Sequence, residues 1–69
     1  MDTLGAQIRK CREHRQLTQK QLAEILQTTD DSIYSWEKGR SQPPIETLRK
    51  ICIELNVSAD YLIGVKTDA

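Results

Sequence analysis

Few of the residues that mark specialised chemistry are present in this chain. Its two cysteines, Cys11 and Cys52, stand alone. They form no CxxC pair and have no histidine cluster beside them, which excludes a disulfide framework and a thiolate metal site. His14 is the single histidine. Metal binding would need further ligands at workable spacing, and nucleophilic catalysis would need a base oriented by a third group. Neither surrounds it, so no enzyme, metal or cofactor is expected. No apolar run approaches the roughly 18 residues of a membrane span, and the first residues lack the apolar core of a signal peptide. The expectation is a soluble, cytoplasmic, reduced protein with no membrane partner. No stretch carries a convincing strand signal, and no internal repeat or low-complexity linker interrupts the chain.

Net charge is missing too, because ten Lys and Arg balance ten Asp and Glu. A nucleic-acid binder usually carries a basic excess, so the total alone argues against one. The distribution matters more. From Arg9 to Lys20 lie Arg9, Lys10, Arg12, Arg15 and Lys20 against Glu13 alone. From Gln21 to Glu37 lie Glu24, Asp30, Asp31 and Glu37 with no Lys or Arg. The neutral sum hides two opposed patches.

What is present is helical periodicity throughout. At this length the chain is one small domain near the lower size limit for unassisted folding, expected over residues 1–64, with 65–69 a short frayed tail. A first helix begins after Asp2 or Thr3, either of which can cap it, and Leu4, Ile8 and Cys11 form its apolar stripe. Leu17, in the connection that follows, is expected to plug the core. A second helix starts on the Thr18/Gln21 capping box and runs to about Leu26, with Ala23 small enough for close packing. Gln27, Thr28 and Thr29 turn the chain, with Thr29 capping a third helix from Asp30 to about Lys38. Ile33 and Trp36 face its inner side, and Asp31, Tyr34, Ser35 and Lys38 its outer side. Gly39 stops it in a left-handed conformation. A loop leads to Pro44, placed at the first helical position of a fourth helix whose apolar face is Ile45, Leu48, Ile51, Cys52 and Leu55. Asn56 ends it, Ser58 caps a short fifth helix, and Gly64 closes that. The fold class is all-α, with five helices.

The second and third helices, joined by a turn of three or four residues, make a helix-turn-helix over about residues 18–38. This arrangement holds its second helix out so that it can enter a DNA groove. The residues that accompany it resemble a known family closely. They are Ile8-Arg9 and Arg12, Leu17-Thr18-Gln19, Leu22-Ala23, Ser32-Ile33, Trp36-Glu37-Lys38-Gly39-Arg40, Pro43, Glu46-Thr47-Leu48, Asn56-Val57-Ser58 and Tyr61-Leu62. One piece alone would carry little. The full set, in order and without an insertion, is similar to the Cro/C1-type helix-turn-helix domain of phage repressors and bacterial regulators.

The resemblance implies a compact lambda-repressor-like domain that binds duplex DNA, commonly as a homodimer on a palindromic operator. It implies that Gln19 contacts a phosphate and braces the third helix. It also implies that Thr29, Asp30, Asp31, Ser32 and Ser35 face base edges, and that Lys38 and Arg40 lie near the backbone. Arg12 and Glu37 would form a largely buried ion pair. Tyr34, on the same outer stripe, would touch a phosphate or a thymine methyl.

The chain departs from the family pattern in two places. Gln27 and Thr28 stand where the family usually has Gly and an apolar residue, and a non-Gly residue at positive φ costs on the order of 1 kcal/mol. Asp30 and Asp31 open the helix expected to face DNA. They either complement the helix dipole or accept from cytosine N4–H₂ in the major groove, which would sharpen specificity and weaken general affinity.

Several residues have plainer readings. Trp36 is expected in the core rather than as a stacking platform. Cys11 and Cys52 are expected as small core residues, with a redox switch the lesser reading. Tyr61 fits either the core or a dimer contact. The function expected is a sequence-specific transcriptional regulator, a repressor in the family habit, encoded by a bacterium or phage. Without room in these residues for an effector domain, its control would come from concentration, dimerisation or a partner protein. The competing reading is a protein-interaction module, an antitoxin or anti-repressor partner, whose acidic third helix no longer suits DNA.

Overall fold

Thr3 turns its hydroxyl onto the Ala6 N–H at 3.1 Å and so starts the first helix, α1, Leu4–His14, in a computed structural model that describes residues 3–64. Asp2, the alternative cap, and the tail 65–69 lie outside the described residues. Thr18 starts α2, Gln19–Leu26, through the expected reciprocal box: its Oγ accepts from Gln21 N at 3.0 Å and its N–H donates to Gln21 Oε1 at 2.8 Å. Thr29 caps α3, Asp30–Glu37, and Ser58 caps α5, Ala59–Ile63. Among the described residues these and α4, Ile45–Glu54, are the regular elements, and no strand occurs.

α4 begins differently from the expectation. Pro44 is the N-cap rather than the first helical residue. Its φ of −59° suits a helix, but its ψ of 157° is extended. Its carbonyl accepts from Leu48 N–H at 2.9 Å, and no side chain caps the helix. The C-terminal boundary of α3 also moves by one residue, because Lys38 is its cap rather than its last helical residue.

All five helices end on a left-handed residue: Gln16 (φ 58°) after α1, Gln27 (58°) after α2, Gly39 (76°) after α3, Asn56 (53°) after α4 and Gly64 (84°) after α5. The first four close as Schellman motifs. The N–H two residues beyond the last full turn reaches back: Leu17 to Arg12 O, Thr28 to Ala23 O, Arg40 to Ser35 O and Val57 to Cys52 O, at 2.9–3.1 Å. Such endings satisfy orphan carbonyls and return the chain sharply onto the preceding helix. In two of them the returning residue, Leu17 or Val57, packs on the core.

That core is built from Ile8, Leu22, Ile33, Ile51, Leu55 and Leu62, each fully buried, with Cys11, Ala23, Leu26 and Trp36 around them. Cys52 is half-buried against its edge. Burial raises the Cys11 thiol pKa above its ordinary 9.0, with Cys52 adding to the effect and Arg15 and Lys10 opposing it. Thiolate, the reactive form, is correspondingly scarce. Ile45 corrects the expected face of α4. It is 67% exposed and, with Ile53, points away from the core.

The approach of α1 to α3 depends on Gly5. A Cβ there would meet the carbonyl oxygen of Trp36 and stand 2.7 Å from that of Glu37. Only a residue without a side chain lets the start of α1 lie against the end of α3.

Candidate nucleic-acid interface

Glu37, the last residue of α3, is where three elements meet. Arg12 on α1 donates from Nε to Glu37 Oε2 at 2.7 Å and from Nη2 to Oε1 at 3.0 Å, a bidentate pair whose side chains are 11% and 5% exposed. The remaining Arg12 nitrogen, Nη1, donates to Leu17 O at 2.8 Å. Gln19, the first residue of α2, adds a donation from Nε2 to Glu37 Oε1 at 3.1 Å. The hydrogen bond to Glu37 raises the Arg12 pKa above the ordinary guanidinium value and outweighs the desolvation that opposes it. The expected ion pair is formed, and Gln19 braces α3 as expected. Its amide does so on a carboxylate that the guanidinium has already neutralised.

With its end fixed, α3 presents Asp30, Asp31, Tyr34 and Lys38 to solvent, while Ile33 and Trp36 are buried. Ser32 and Ser35 are half-buried, so the outer stripe is narrower than expected at Ser35. Thr29 supplies the cap, accepting from Ser32 N at 3.2 Å, and the Thr29 and Ser32 hydroxyls are hydrogen-bonded to each other at 3.0 Å. Asp30 and Asp31 lie in the first turn beside that cap. Among the described residues neither forms an ion pair. Thr29 occupies the capping position, so the two aspartates complement the helix dipole and leave their oxygens directed to solvent.

At the other end of α3, Lys38 Nζ lies 5.7 Å and Arg40 Cζ 5.5 Å from the centre of the Tyr34 ring. Tyr34 and Lys38 also line a recess of about 240 Å³ with Arg9, Arg12, Gln19 and Glu37. The nine expected contact residues thus lie along α3 and its two flanks, acidic at the start and cationic at the end.

The family described as "Helix-turn-helix domain" matches residues 5–66. The chain belongs to the Cro/C1-type helix-turn-helix family. It is 34% identical over 62 residues to the HTH-type transcriptional regulator ImmR of Bacillus subtilis (strain 168), covering 90% of this chain and 49% of that protein. It is 31% identical over 65 residues to the Immunity repressor protein of Bacillus phage phi105, covering 94% of this chain and 45% of that protein. The chain spans about half the length of the curated relatives it matches. Among solved structures it resembles the P22 c2 repressor protein in complex with synthetic operator 9T. There the TM-score is 0.87 at 26% identity, over 96% of this chain and all of that one.

Within this Cro/C1-type domain, four features escaped the sequence reading. Gly5 was unmarked, although a glycine one residue inside a helix signals close approach. Gln7 is buried, donating to Tyr61 O at 3.0 Å and so joining α1 to α5, while its Oε1 has no partner among the described residues. Arg15 donates to Leu55 O at 2.7 Å. The Tyr34–Lys38 spacing of one turn was visible as i, i+4, but nothing local indicated that Arg40 would return to the same ring.

Proposed function

We propose that this Cro/C1-type domain binds double-stranded DNA at a two-fold symmetric operator and represses transcription by occupying it. The observation that carries the reading is α3. Asp30, Asp31 and Tyr34 on its outer face are exposed among the described residues, while Glu37 locks its far end to α1 and α2. Base readout needs such a rigid, exposed helix. The likeness to a repressor solved on operator DNA supports it.

In this reading Asp31 and Ser35 face base edges, with Asp30 at the rim of the groove and Thr29 and Ser32 at its entrance. Gln19, Lys38 and Arg40 meet phosphates. The two carboxylates repel the backbone and lower affinity for most sequences, and they favour cytosine where they accept from N4–H₂. Binding, with no catalytic step, is the whole activity, and it takes place in the cytoplasm. Two copies act together through the exposed parts of α5 and the neighbouring face of α4, where Ile45, Ile53 and Ile63 lie open.

Selection from a random duplex library at about 50 mM salt tests the reading, and a palindrome should be enriched. Its affinity should fall by orders of magnitude as salt rises to about 200 mM, because each neutralised phosphate releases counterions. If no sequence is enriched, DNA binding is abandoned in favour of a protein-interaction module, the reading that the acidic first turn of α3 otherwise favours.

A further inference from the structure

Tyr34 lies in the middle of α3, 40% exposed, with two cations drawn to its ring. Both distances are inside the roughly 6 Å at which a ring quadrupole attracts a cation. They arise from different local causes. Lys38 follows one helical turn after Tyr34. Arg40 lies beyond the helix and returns only because Gly39, at φ 76°, reverses the chain and lets Arg40 N–H bond to Ser35 O at 2.9 Å. Long exposed side chains at a helix end otherwise sample many rotamers, and a phosphate contact must overcome that freedom. The recess that Tyr34 and Lys38 share with Arg9 and Gln19 opens beside this pair.

We propose that Tyr34 is a positioning residue for DNA binding: its ring gathers Lys38 and Arg40 into a preformed two-cation clamp for backbone phosphate at the end of α3 and reads no base itself. The proposal rests on the DNA-binding reading above. It also gives the charge order along α3 a purpose. Along the helix axis Lys38 follows Asp31 and Asp30 by roughly 10–12 Å, so the phosphate chain is held toward one end of the helix and kept from the other. A clamp with a fixed position sets which end of α3 meets the backbone, and the carboxylates then face bases rather than phosphates.

The test compares Tyr34→Phe and Tyr34→Leu with the wild type, on the duplex selected above and on an unrelated one. Thermal midpoints are recorded to show that each variant is folded. Tyr34→Phe keeps the ring and should bind like the wild type. Tyr34→Leu should bind both duplexes about three- to tenfold more weakly, with the preference between them unchanged. Its salt slope should also be unchanged, since both cations remain, whereas Lys38→Gln should lower the slope by about 0.9. In a Lys38→Gln/Arg40→Gln background, Tyr34→Leu should cost nothing further. In the free protein, side-chain methylene protons of Lys38 and Arg40 should show ring-current shifts that Tyr34→Leu abolishes.

Equal losses for Phe and Leu, a changed base preference in Tyr34→Leu, or additive losses would each overturn the clamp. Absent ring-current shifts with intact duplex binding would remove the clamp alone. Shifts present in a wild type that binds no duplex would remove the DNA-binding reading, and this role with it.

Discussion

At the scale of single residues, Glu37 is where the fold depends most on one charge. Its carboxylate is almost fully covered and accepts from Arg12 twice and from Gln19 once. Arg12→Ala would leave that carboxylate with one neutral donor in a buried site, a cost of roughly 3–5 kcal/mol. Total stability for a small domain is only about 5–15 kcal/mol, so urea unfolding should show a protein close to its threshold. Replacing both partners, as Arg12→Met with Glu37→Met, should cost far less than the two single changes summed, because the penalty is the unpaired charge rather than the lost bond. Additive losses would show that the two groups act independently. Gly5 gives a second test, decided by its sign. On an open helix face Gly→Ala stabilises by about 0.8–1.0 kcal/mol. Here the added methyl would press on two backbone carbonyls of α3, and overpacking of this kind costs about 1–3 kcal/mol. Gly5→Ala should therefore lower the thermal midpoint, and a raised midpoint would mean that the end of α3 yields easily.

At the scale of elements, the starts of α2, α3 and α5 were legible and several contacts between elements were not. Thr18, Thr29 and Ser58 cap where the sequence placed them, because an N-cap is a local contract between a hydroxyl and an N–H three residues on. The stops at Gly39, Asn56 and Gly64 were legible from residue type and the one at Gln27 only from the family resemblance, whereas Gln16 carried no mark of its positive φ. Ile45 misled because a helical stripe says which residues share a face but not how far along it the neighbouring helix reaches. Gly5, Gln7 and Arg40 were illegible because their partners are brought close only by tertiary packing. The turn between α2 and α3 offers a prediction at this scale. Gln27 sits at φ 58°, which costs an L side chain about 1–2 kcal/mol. Glycine removes that strain and adds about 0.5–1 kcal/mol of chain entropy to the unfolded state. Gln27→Gly should thus stabilise by about 0.5–1 kcal/mol, raising the thermal midpoint by several degrees in a domain of this size. An unchanged or lower midpoint would show that the Gln27 side chain contributes something that its backbone geometry does not reveal.

At the scale of the molecule, the proposed two-copy binding requires a surface on which the copies meet. The α4–α5 surface leaves Ile53 71%, Ile45 67% and Ile63 48% exposed, around an apolar groove of about 240 Å³ that also contains Leu48 and Leu62. Large apolar side chains clustered at one place on a small domain mark an interaction surface more often than chance exposure. Two-fold related half-sites would hold the two α3 helices about 34–36 Å apart, comparable with the 36 Å long axis of one copy. Copies joined across α4–α5 would then occupy both half-sites as one unit, and the second contact would gain from a high effective concentration. Ile53→Lys places a charge in that contact while altering no residue of α3 or its flanks. It should leave the fold and the affinity for an isolated half-site unchanged, and weaken binding to the full palindrome by at least about tenfold, the low end of a linked pair's advantage. Sedimentation at rising protein concentration should show self-association of the wild type and a persistent monomer for the variant. Equal loss on half-site and palindrome would mean that the lysine disturbs the fold, and no loss on either would place the dimer contact elsewhere.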